Sequence, residues 1–279
     1  GYGAVGGMLL LAGDRSLSEL AAPHVLLAAT ALIVYGTAAT IGVGASGPVF
    51  LGLAIVGVAL VVGTGINMAF GQDAATGAAV VAAVAFAMVP ALPMLSYRLA
   101  RLPVPSLPAR PEDVKSDAET VNGKRILVLA DHADRFLTGL LWTVAVIVFG
   151  AEVVLAFDDS AQSLLLCTVL ALLLMLRARP MISWRQRSGM LAAGSLGLGL
   201  VALALFQDGG ILTRLATIPA LLFAAATISL VYGLLIAGKR MSPVWGRLLD
   251  IVEILLIVAV VPLTAWVCGL YSWILNLSA

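Results

Sequence analysis

Apolar residues run along this chain in long blocks separated by short polar punctuation. Nine blocks stand out, at roughly 1–12, 21–44, 48–70, 75–97, 135–157, 161–176, 188–206, 212–236 and 248–273. Most approach 20 residues, the length of α-helix that crosses about 30 Å of hydrocarbon. The pattern predicts an all-α fold: a polytopic transmembrane helical bundle of eight full spans plus one truncated N-terminal span. The punctuation is turn-like, as in "GASGP", "GQDAATG", "FDDS" and "FQDGG". Turns this short make consecutive helices antiparallel neighbours. The first block, "GYGAVGGMLLLAG", is too short to span and does not begin with Met. The expectation is a chain that opens within a helix, with something N-terminal to it missing.

Composition agrees with the blocks. Of 279 residues, 61% are hydrophobic and 11% charged, with a mean hydropathy of +1.08. A soluble domain carries about 25% charged residues, so this chain lacks the surface for one. The net charge of +1 gives no reason to expect nucleic acid. Fourteen of the 16 Lys and Arg residues fall within 98–135, 177–187 and 239–247. In an alternating topology those three stretches share one side. The positive-inside rule makes that side cytoplasmic and leaves the C-terminus outside; the expected location is the inner (plasma) membrane, crossed many times. The division that follows is a membrane region at 1–98, a cytosolic loop at 99–134, and a second membrane region at 135–279.

The loop opens with "RLPVPSLPARP", whose proline spacing favours a stiff, extended strut. Mixed charges follow, with one apolar island, "ILVLA". A solvated linker with a short juxtamembrane helix is the plainer reading; a docking site for a cytoplasmic partner is the functional one. Loops longer than about 15 residues between elements are often functional.

Within the spans, small residues at Ala193/Gly197 and Ser195/Gly199 are candidates for close helix packing. Pro90, Pro93, Pro219 and Pro262 can kink spans without breaking them. The stretch "GTGINMAFG" follows no strand and lies inside an apolar block, so it is not a nucleotide loop. Cys167 and Cys268 sit in apolar runs and read as two buried thiols, although depth alone permits a disulfide. No Cys/His cluster has zinc spacing, so no metal is expected. No cofactor motif and no catalytic constellation stand out, and an enzyme is not expected.

The last block holds the most suggestive charges. Asp250 and Glu253 lie one turn apart before the run that ends "AWVCGLYSWI". From Glu253 to Trp273 is about 30 Å of continuous helix, which puts Glu253 at the inner boundary. Arg247 can pair with Asp250 three residues on, and both acids fall in the first turns, where the helix dipole favours them. Glu152 lies about 25 Å above Arg135, towards the outer boundary. No ionisable group remains at mid-depth, which weighs against proton coupling. An ion-pair anchor is therefore the leading reading of the acids, and partner docking the next.

The stretch "RLLDIVEILLIVAVVPLTAWVCGLYSWI" resembles the last span of EccD, the polytopic membrane component of actinobacterial type VII (ESX) secretion systems. So does "YRLARLPVPSLPARPEDV" leading through "ADRFLTGLL". The resemblance implies a non-enzymatic scaffold that pairs with a second EccD into a hydrophobic enclosure. It implies EccB, the EccC ATPase and EccE as partners alongside membrane lipids. It also implies an N-terminal ubiquitin-like domain and eleven spans in all, of which the first two and that domain would be absent here. Pro103, Pro105 and Pro108 would begin a cytosolic loop near the EccC stalk, and Arg247, Asp250 and Glu253 would mark the inner end of the last span. The alternative is a secondary transporter of a small solute, with Thr64 and Asn67 as its candidate polar groups.

Overall fold

The computed structural model describes residues 22–42, 47–70, 73–101, 123–181, 183–208 and 243–277. Every regular element among them is helical: α1 (Ala22–Gly42), α2 (Gly47–Phe70), α3 (Ala74–Ala87), a 3₁₀ turn (Val89–Ala91), α4 (Leu92–Leu99), α5 (Gly123–Ala156), α6 (Ala161–Arg177), α7 (Trp184–Asp208), α8 (Pro243–Val267) and α9 (Leu270–Leu277). Among the described residues, six stretches are long and apolar enough to cross a membrane: Pro23–Gly42, Gly47–Phe70, Ala74–Leu99, Ile126–Ala156, Trp184–Gln207 and Gly246–Val267. The helix at Ala161–Arg177 is apolar but shorter, at 17 residues. The predicted blocks at 1–12 and 212–236 lie outside the described residues, as do Pro103, Pro105, Pro108 and Pro219.

Local chemistry sets the boundaries. Pro90 and Pro93 cannot donate to the preceding turns, and the predicted block at 75–97 accordingly divides into α3, the 3₁₀ turn and α4. Ser160 caps α6, its hydroxyl accepting from the Ser163 amide at 3.3 Å. Pro262 is accommodated inside α8. The last block is not one continuous helix: α8 stops at Val267, and Gly269, at φ +70, turns the chain into α9. Glycine enters this left-handed region freely, and other residues do not. The expected single rod from Glu253 to Trp273 is thus interrupted.

The core lies where α5, α6 and α7 meet, with α3 against its side. Leu141, Leu155, Leu166, Leu170, Leu173, Leu174 and Met190 are fully buried there. The seams around it rely on missing side chains. A Cβ on Gly36 of α1 would stand 2.8 Å from the Ala54 amide nitrogen, and one on Gly57 of α2 2.8 Å from the Ala29 carbonyl. These backbones touch, and contact of that closeness drives helix association where lipid is as apolar as leucine.

Helix α5 has 34 residues, about 51 Å at 1.5 Å each, well beyond one hydrocarbon thickness. The apolar island is part of it. Ile126, Leu127 and Val128 are exposed on its first turns rather than folded onto the bundle.

Candidate functional site

Two polar sites stand out in this apolar frame, and the larger joins helices distant in sequence. Arg177, in the last turn of α6, reaches Glu253 of α8, with Nη1 donating to Oε1 at 3.1 Å. Arg179, just past that helix, donates from Nη2 to Oδ1 of Asp250 at 2.7 Å and lies 3.8 Å from Oε2 of Glu253. Glu253 is enclosed, its side chain 11% exposed, whereas that of Asp250 is 65% exposed. The four side chains, with Pro180, Ile254 and Ile257, line a cavity of about 550 Å³.

This arrangement revises part of the sequence reading. Asp250 takes its cation from Arg179, just past the end of α6, not from Arg247, which is exposed. Because α8 begins at Pro243, both acids lie beyond its first turn, and no acidic residue occupies that turn. The dipole effect fades within one turn, so it does not hold them. Arginines 71 and 76 positions away do. No local spacing could have paired them.

Nearby, the Gln186 amide of α7 donates to Asp134 of α5 at 2.7 Å, and Trp142 Nε1 donates to the Arg185 carbonyl at 2.9 Å. The ends of α5, α6, α7 and α8 that carry Arg135, Arg177, Arg179, Arg185 and Arg247 thus gather at one end of the bundle.

The second site was legible only as an isolated acid. Glu152 of α5 is completely buried, and neither carboxyl oxygen has a hydrogen-bond partner among the described residues. Its carboxyl lies against Gly197 of α7, where an added Cβ would stand 2.6 Å from the carboxyl carbon. Its main-chain carbonyl accepts from the Cys167 thiol of α6 at 3.6 Å. Of the predicted packing residues, Ala193 and Gly197 face inward, while Ser195 and Gly199 face outward, with nothing near a Cβ on Gly199. Gly194, which spacing did not single out, is also in tight contact: a Cβ there would stand 2.6 Å from the Ala171 carbonyl of α6.

The polar groups considered for a transporter are placed differently. Asn67 lies one turn from the end of α2, and its side-chain carbonyl accepts the Gly77 amide of α3 at 2.8 Å. Its acceptor thus serves a helix seam. Thr64 and Asn67 border an otherwise apolar cavity of about 500 Å³. Cys167 and Cys268 are both free thiols, but only Cys167 is buried as expected; Cys268, next to the break at Gly269, is partly exposed. Among the described residues, no group of three or more His, Cys, Asp or Glu could hold a metal ion.

Long apolar helices, tight glycine seams and charges gathered at one end define a multi-pass helical membrane protein. The EccD-like transmembrane domain matches residues 1–277, and the chain belongs to this EccD family. It is 31% identical over 159 residues to the ESX-4 secretion system protein eccD4 of Mycobacterium tuberculosis, in strains CDC 1551 / Oshkosh and H37Rv alike. That match covers 55% of this chain but only 33% of the relative. Among solved structures, protomer 1 of the ESX-3 core complex has a similar fold, with TM-score 0.68 and 19% identity over 98% of this chain and 67% of that one. The MycP5-free ESX-5 inner membrane complex in State II also matches, with TM-score 0.60 and 20% identity over 79% of this chain and 50% of that one.

Proposed function

We propose that this chain is a non-enzymatic membrane scaffold and conduit-enclosing subunit of an ESX (type VII) protein secretion complex in the inner membrane. The observation that carries this reading is the family match along nearly the whole chain. The distribution of burial supports it. Within the apolar windows, 56% of Ile126–Ala156 is buried inside the chain, but only 11% of Pro23–Gly42 and of Gly246–Val267. A solitary bundle leaves such faces to lipid; a scaffold uses them for a second copy and for partner spans.

In this reading eight full spans cross the membrane after one truncated span, the basic end is cytoplasmic and the C-terminus is outside. The chain pairs with a second EccD and meets EccB, EccE and the EccC ATPase, which supplies the energy. The Pro-rich loop within 99–134, with Pro103, Pro105 and Pro108, stands between the membrane regions at 1–98 and 135–279 and reaches towards the ATPase. Asp250 and Glu253 chiefly anchor α8 to α6, because both are already engaged by arginine. Arg247, exposed and outside those pairs, is the freer docking group. Ala193, Gly194 and Gly197 close the α7 seams, and the outward Ser195 and Gly199 remain for a neighbouring helix.

The test is to purify the natural protein in mild detergent and determine its native mass and companions. A particle containing a second copy, single-span subunits and the ATPase supports the scaffold. A monomer free of companions across several gentle detergents rejects it and revives the solute-transporter alternative. Replacing 103–108 with Gly/Ser should loosen the ATPase; undiminished ATPase retention removes the strut.

A further inference from the structure

A groove of about 660 Å³ runs between α2, α5 and the start of α7. Its two ends differ. At one, Asp134, Arg135 and Arg185 form a charged mouth; towards the other, Leu53, Val56 and Val146 form an apolar wall. Twelve helical residues separate Asp134 from Val146, about 18 Å, against about 15 Å for the hydrocarbon of one leaflet. The groove therefore has the length and polarity gradient of a single lipid.

The charges at the mouth are not equivalent. Arg135 pairs with Asp131 at 2.8 Å, and Asp134 accepts from Gln186. Arg185 has an exposed side chain and no ion pair among the described residues. Its main chain is fixed by the indole of Trp142, which itself lines the groove. The neighbouring Trp184 is 67% exposed, as suits an aromatic ring at headgroup depth. The wall is open to a chain lying alongside it, since Val49 and Val146 are both exposed.

We propose that this groove binds one anionic phospholipid, its phosphodiester against the Arg185 guanidinium and an acyl chain along α2 and α5. With Arg135 already paired to Asp131, the unpaired Arg185 is the charge at this mouth that draws such a headgroup. The site needs neither the secretion complex nor its companions; only its assignment to the cytoplasmic leaflet rests on the orientation proposed above.

The purified natural protein, titrated with dioleoyl phosphatidylglycerol or dioleoyl phosphatidylcholine, is read by native mass spectrometry. The phosphatidylglycerol adduct should be the tighter one. Arg185→Gln should weaken it about fivefold, the share of one basic residue near a headgroup. That change spares the Trp142 bond, which uses the main-chain carbonyl. Val49→Trp, which fills the wall, should weaken both lipids, with thermal unfolding as the check on its folding. Arg98→Gln, at an exposed arginine outside the groove, should alter neither. Equal retention of the two lipids, or an unchanged Arg185→Gln variant, overturns the proposal. Displacement by excess inorganic phosphate also overturns it, because the site would then read an anion rather than a lipid.

Discussion

Helix α5 and helix α8 are both apolar, yet the chain treats them in opposite ways. Over its membrane window α5 is 56% buried, wrapped by α3, α6 and α7; the window of α8 is 11% buried. Around α5 the fit is close enough that single atoms matter, as at Gly197 against Glu152. Along α8, Leu255, Val258 and Val261 stand 63%, 63% and 72% exposed; one narrow face, with Val260 buried, meets the core, and charged pairs with Arg177 and Arg179 tie its start to the end of α6. Hydrophobicity therefore does not say which helix is core. In a bilayer the discriminating features are small residues that admit a neighbour's backbone and charges that fix an end.

The largest effect should come from Gly197→Leu. The new side chain meets the Glu152 carboxyl and forces α7 off α5, a cost of about 3 kcal/mol by overpacking, read as a fall in the detergent melting temperature. Gly199→Leu, two residues away on the outward side, should change stability by less than about 0.5 kcal/mol. Equal effects at the two glycines would erase the distinction between the faces. Next in size is Arg177→Ala, which removes the hydrogen-bonding partner of the enclosed Glu253, leaves it only the looser contact with Arg179, and should lower stability by about 2 kcal/mol. Asp250→Ala removes only an exposed pair and should cost at most about 1 kcal/mol, less at high salt. Glu152→Met replaces two unpartnered oxygens by an apolar group of similar length. It should leave stability unchanged or raise it by about 1 kcal/mol, and a large loss would mean that the carboxyl has a partner. Smallest for the fold itself is Leu255→Ala with Val261→Ala. The melting temperature should hold while recovery of companion chains declines.

The sequence carried the helical class, most of the span positions and the basic end, because each rests on a sum over many residues. It carried the charged junction only halfway. Asp250 and Glu253 are conspicuous before an apolar run, but their partners lie at the end of α6, and local spacing pointed to Arg247 instead. Glu152 was visible as an acid near a boundary; its enclosure depends on Gly197 and Cys167 lying on two other helices. The break at Gly269 was hidden by an unbroken run of apolar letters, since one positive φ ends a helix without altering hydropathy. Small-residue spacing found Ala193 and Gly197, but it also picked the outward pair, Ser195 and Gly199. Which face meets a neighbour is decided by packing.

In the proposed scaffold the outward faces of α1 and α8 belong to a protein assembly. The direct measurement places a photo-crosslinking amino acid at Val34 on α1 and at Val261 on α8, 62% and 72% exposed, in the natural protein in intact cells. The account predicts adducts to defined protein chains from both positions, and none from the fully buried Val148. Exclusive crosslinking to lipid at Val34 and Val261 would contradict it.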